Sequence, residues 1–126
     1  MSVYKVQVTK EFSDQDMEDI VITALEGGIG YWACLDNTTP EFKDEPEDTP
    51  TFEWCWKLLK EGKYLRFLDA EDTEEGEVWY LNLTILLNGI GSSIAKGYWD
   101  GNLDNVDGDV ADSIFQLAMF GDVIYG

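Results

Sequence analysis

Tyr64-Leu65-Arg66-Phe67-Leu68-Asp69-Ala70, then Glu71-Asp72-Thr73-Glu74-Glu75-Gly76, then Glu77-Val78-Trp79-Tyr80-Leu81-Asn82-Leu83 is the stretch that decides the fold. Its two flanks are rich in β-branched and aromatic residues, and the acidic linker between them ends in glycine. That pattern predicts an antiparallel hairpin with an acidic tip. Residues on both sides of it read mostly at helical spacing. The fold class expected is therefore α+β, a single domain over 1–126. It has a small antiparallel β-sheet of about three strands packed against about four helices on one side.

Upstream of the hairpin, Phe52, Cys55, Trp56, Leu58 and Leu59 recur at helical spacing, with Thr49 placed to cap, Pro50 at the first helical position and Gly62 as the stop. Trp54 falls off that stripe and is expected on the surface, where it would offer a hydrophobic face for self-association. Residues 36–50 hold six acids, one lysine and three prolines, and read as a solvated loop. Ile29-Gly30-Tyr31-Trp32-Ala33 is either a short strand or a tight packed turn. Before it, Ser13 stands as an N-cap followed by Asp14, Asp16 and Glu18, and Met17, Ile20, Val21, Ala24 and Leu25 share a helical face that stops at Gly27-Gly28. At the start, Val3, Lys5, Gln7 and Thr9 alternate with Tyr4, Val6 and Val8, which predicts a strand over about 3–11.

Downstream, Ile85, Leu86, Leu87, Ile90, Ile94 and Trp99 predict a helix capped at Thr84, with Gly89, Gly91 and Gly97 accounted for by close packing on a neighbour. After the Asp- and Gly-rich loop 100–108, Val110, Ile114, Leu117, Ala118 and Phe120 form the stripe of a last helix. Asp109 or Gly108 would cap it and Gly121 would close it. Val123-Ile124-Tyr125 is expected to be pinned to the core or the sheet.

The chain carries 26 Asp and Glu against 8 Lys and Arg, with no His, in 126 residues, a net charge of −18. With 44% hydrophobic and 13% aromatic residues it has enough apolar content to fold. Mutual repulsion makes it more stable in high salt. Four segments, 11–19, 36–48, 69–77 and 100–112, hold five, six, six and five acids, interrupted only by Lys43. Such segments are either solvated loops and helix starts or a decoy for nucleic acid. Duplex DNA presents a negative charge every ~1.7 Å of axis, and carboxylates on rigid elements can occupy a groove built for it. The candidate partner-binding residues are Asp69, Glu71, Asp72, Glu74, Glu75 and Glu77 on the hairpin, with Asp44, Glu45, Glu47 and Asp48 in the loop.

Catalytic signatures are missing from the sequence. Without histidine the commonest general base is lacking, and neither Cys34 nor Cys55 has a partner to activate it. Gly27-Gly28-Ile29-Gly30 matches neither a P-loop nor a dinucleotide fingerprint, and fits a helix stop with close backbone packing. Asp100-Gly101-Asn102-Leu103-Asp104-Asn105 begins like a calcium loop, but Asn105 stands where glycine is needed and Ala111 where a bidentate Glu is needed. No metal, cofactor or enzymatic activity is expected. Cys34 and Cys55 are expected as reduced thiols, since no signal-peptide pattern opens the chain, and no apolar run approaches the ~20 residues of a membrane span. The expected setting is the cytoplasm, with no membrane partner and no direct contact to nucleic acid.

Aromatic residues supply a second reading. Trp32, Trp79 and Trp99, with Arg66 as the scarce cation, are candidates to line a pocket that stacks a nucleotide. On that reading the protein sequesters a nucleotide immune signal, as an oligomer.

Ala24-Leu25-Glu26-Gly27-Gly28-Ile29-Gly30-Tyr31-Trp32 and the whole of 111–126, Ala111 to Gly126, carry a resemblance, supported by Thr9-Lys10-Glu11 and by Leu68-Asp69-Ala70-Glu71-Asp72. In these stretches the chain resembles a family of small acidic proteins from phages and prophages of Gram-positive bacteria. The resemblance brings no catalytic residues. It implies an accessory phage protein that counters host defence, by analogy with acidic anti-CRISPR and anti-restriction inhibitors. The partner implied is a host nucleic-acid-binding protein such as a CRISPR nuclease or effector, met in the host cell cytoplasm.

Overall fold

Alternation along the hairpin sets which side chains enter the core. The computed structural model describes residues 2–126. In it β2 (Leu65–Asp69) pairs antiparallel with β3 (Val78–Leu81), placing Phe67 opposite Trp79 and Arg66 opposite Tyr80. Leu65 and Phe67 are buried while Arg66 and Leu68 are half-buried, so the sheet has a core face and a wetter face. The third strand is β1 (Ala33–Leu35), with Ala33 opposite Asp69 and Leu35 opposite Phe67, giving the order β1-β2-β3.

Four α-helices complete an α+β fold: α1 (Asp14–Thr23), α2 (Thr51–Lys60), α3 (Leu83–Ala95) and α4 (Gly108–Phe120). The strand expected over 3–11 is not formed. Residues 2–12 carry no regular structure and make no backbone hydrogen bond to another described residue, and Tyr4, Val6 and Val8 stand exposed. Alternation equips a segment to be a strand, but a ladder also needs an edge to pair with. The third position is taken instead by Ala33–Leu35, after a turn in which Trp32 and Ala33 donate to Ile29 O.

Local chemistry accounts for most helix ends. Ser13 and Asp16 form a reciprocal capping box at α1, which widens into a π-helical turn over Ala24–Gly28. Pro50 sits at the cap of α2 and not inside it. Its carbonyl takes the first helical bond from Trp54 N, and Thr49 does not cap. Asn82, two residues before the expected Thr84, caps α3 by accepting from Ile85 N. Asp107 caps α4 by accepting from Val110 N, in place of the expected Asp109 or Gly108. Gly121 closes α4 at φ 76°, in the left-handed region open to glycine.

The core lies between the sheet and the helices. Phe115 of α4 meets Phe67 edge-on at 6.4 Å, with Ile20, Leu58, Leu86 and Ile114 buried around them. Gly89 brings α3 against α4, for a Cβ there would lie 2.5 Å from Ala118 Cβ and 2.6 Å from Ile114 O. Gly89→Ala is therefore expected to cost ~1–3 kcal/mol or more by overpacking. That lowers the thermal midpoint by up to roughly 10 °C, measured by calorimetry. A midpoint unchanged or raised in Gly89→Ala would show that the helices do not meet there.

Candidate acidic interaction surface

The hairpin tip is an ordered loop. Asp69 Oδ1 accepts from Glu71 N at 2.9 Å, Asp72 Oδ1 accepts from Glu75 N at 2.9 Å, and Asp72 O accepts from Gly76 N at 2.9 Å. A Cβ on Gly76 would stand 2.4 Å from Asp72 O, so the turn closes only around glycine. The six acids therefore divide. Asp69 and Asp72 hold the turn, Glu77 Oε2 accepts from Trp79 Nε1 at 3.2 Å, and the Glu71, Glu74 and Glu75 side chains project without a partner among the described residues. Fixing the backbone in this way spares a partner the entropy of ordering the loop.

Residues 36–50 are also anchored. Asp36 accepts from Thr38 N and Oγ1 and pairs with Arg66, and these contacts, the Thr38 hydroxyl first, hold its carboxyl below the usual carboxylate range. Phe42 is buried, which corrects the expectation of a loop with little to bury. Trp54, expected on the surface, is only 7% exposed, because the loop folds over α2 and Glu41 O accepts its Nε1 at 3.1 Å. The Trp54 face is thus not open for self-association. A cleft of about 420 Å³ lined by Pro40, Glu41, Asp44, Trp54, Glu61 and Lys63 opens beside it.

Among the described residues ion pairs join Lys60 to Asp14, Lys63 to Glu61 and Arg66 to Asp36. None reaches the ten candidate partner-binding acids, Asp44, Glu45, Glu47, Asp48, Asp69, Glu71, Asp72, Glu74, Glu75 and Glu77. These acids do not form one patch. The chain leaves β1 past Arg66, where Asp36 N donates to Arg66 O, whereas the hairpin tip leaves β2 after Asp69, at the other end of the sheet.

Near the tip, Trp32 stacks on Tyr125 at 5.3 Å, and Trp79 and Phe120 close the cluster at 5.2–5.6 Å centroid separations. Asp112 ties it together, accepting from Tyr31 OH at 2.5 Å, Trp32 Nε1 at 2.7 Å and Gln116 Nε2 at 2.9 Å. Gln116 Oε1 in turn accepts from Ile124 N and Tyr125 N, both at 2.8 Å, so the terminal segment is pinned as expected. Sequence reasoning missed Gln116, and its one signal was a polar residue within an apolar helical run.

Burial, then the hydrogen bond to Asp112, push the Tyr31 phenol up from 10.0 to about 12. The folded state favours the neutral phenol, so this contribution is fully present below pH 10.0 and is lost as pH rises through about 12. Asp112→Asn is expected to bring Tyr31 ionisation down towards 10.0, read from phenolate absorbance, and an unchanged titration would refute the coupling.

Trp32, Arg66, Trp79 and Trp99 do not line one pocket. Trp32 and Trp79 touch inside the aromatic cluster, Arg66 lies on the wetter sheet face against Asp36, and Trp99 is buried beside Phe12 with its Nε1 donating to Asn102 O. In the loop 100–105, Asp100 and Asn102 accept from Asn102 N, Asn105 Nδ2 and Asp104 N, so its oxygens close its own turns. Among the described residues no three acids or cysteines converge to hold a metal ion, Cys34 and Cys55 are unbridged, and no helix is long and apolar enough to cross a membrane. No protein-family model matches the chain, and no curated protein or solved structure is similar to it.

Proposed function

We propose that the chain is a non-enzymatic inhibitor that binds the basic surface of a host nucleic-acid-handling protein, standing in for the polyanion that surface normally holds. The observation that carries this reading is the hairpin tip: six carboxylates on a turn held by its own hydrogen bonds, with no cation within ion-pairing distance among the described residues. A solubilising loop has no need of a fixed shape. A surface that must match a groove gains affinity from one. In the setting suggested by the phage-family resemblance, the partner is a defence protein of the host cytoplasm, a CRISPR effector or a restriction nuclease.

Affinity capture from host lysate at low and high salt tests it. The expected result is a nucleic-acid-binding protein retained at low salt, released as salt rises, and displaced by duplex DNA. Retention unaffected by salt, or a bait that carries a small nucleotide and no protein, would overturn it.

A further inference from the structure

Segment 2–10 and α3 carry no acid, unlike the anionic body around them. Segment 2–10 carries Lys5 and Lys10 and no acid, and removing those two cations from the net −18 leaves −20 for the rest. From Val78 to Ala95 there is no charged residue, and Lys96 follows. Between the two segments runs a groove of about 660 Å³ lined on the arm by Val6, Val8 and Phe12 and on α3 by Leu87, Ile90 and Ile94. Val6 and Val8 are each 84% exposed and Leu87 is 48% exposed, so the groove is open.

The arm has the sequence of a strand with no strand beside it. Its N–H and C=O groups have no backbone partner among the described residues, and Val6, Val8, Lys10 and Phe12, all of one parity, face α3. We propose that a second copy of this chain completes the groove, the two arms pairing antiparallel into a two-stranded ribbon that lies across both α3 helices. Charge selects this occupant. Two bodies of −18 repel through their acid-bearing faces, whereas here apolar surface meets its like, and the lysines of each arm approach Asp100, the acid lining the groove, of the other copy. A two-fold axis makes the contact self-complementary. Eight extended residues span about 27 Å, enough to cover α3 at about 20 Å. The basic partner proposed above would be repelled by Lys5, Lys10 and Lys96, so this face does not serve that role.

Sedimentation equilibrium of the full chain and of the Val6→Asp/Val8→Asp variant, at low and high salt, tests the proposal. The expected wild-type mass is twice 14.3 kDa, with dimerisation strengthened by salt as the bodies are screened, and with alternate amides of 3–10 protected from exchange. The double variant should be monomeric with the helical circular dichroism of the wild type retained, because both valines are exposed in the single chain. A monomeric wild type at both salts, or a variant that still dimerises, overturns it. Partner capture by the acidic tip weakens with salt, so the two associations are told apart by sign.

Discussion

Replacing Glu71, Glu74 and Glu75 together by lysine is expected to weaken partner capture at least about 100-fold, a loss of ~3 kcal/mol, while leaving the thermal midpoint unchanged or higher. The choice of residues follows from the tip itself. Asp69 and Asp72 accept backbone hydrogen bonds and hold the turn, so reversing them would confuse lost shape with lost charge. The three glutamates are exposed and unpaired, and each reversal changes the charge by two, so the variant stands at −12 instead of −18 and repels itself less. Binding loses three attractions and gains three repulsions at the contact. A matched triple, Asp44→Lys/Glu47→Lys/Asp48→Lys, makes the same change in net charge at the opposite end of the sheet. If both variants lose affinity equally in a titration against the captured protein, the general field is responsible and the tip is not the contact.

Trp32→Ala is expected to destabilise the chain by ~3–5 kcal/mol, a large share of the ~5–15 kcal/mol that holds a domain of this kind together. Trp32 is 1% exposed and touches Trp79, Phe120 and Tyr125, so its removal opens a cavity among three elements at once. It also takes away the indole N–H that Asp112 accepts. Urea unfolding followed by far-ultraviolet circular dichroism measures the loss. A change below ~1 kcal/mol, the size of an ordinary substitution, would mean that the cluster does not bind the last segment to the sheet.

Legibility in the sequence followed the range of the interactions. The hairpin, the four helices and the stops at Gly62 and Gly121 were readable because periodicity and terminal residues act within a few positions. The cap at Asn82 was missed for Thr84 because both residue types cap well, and the choice depends on where the hairpin strand ends. Residues 3–11 were misread because alternation describes what a segment is able to pair with, and the partner lies elsewhere in the chain or outside it. Trp54 was misplaced since its cover, the loop at Glu41 and Phe42, comes from an acidic stretch with no local order to announce it. The acids of the tip were visible as a composition. Which of them hold the turn and which face outward depended on individual backbone hydrogen bonds.

The packing of α3 on α4 has a consequence for how the chain is made. The longest uncharged run of the molecule, 78–95, leaves the ribosome before the helix that covers it, and Gly89 finds its contacts on Ile114 and Ala118. Until those residues emerge, the side of α3 that carries Gly89 has no lid, and the nascent chain shows the cell an apolar helix of the kind that holding chaperones take up. Folding therefore waits for the last helix. A chain that lacked residues 108–120 would keep an acidic body whose oily segment never closes.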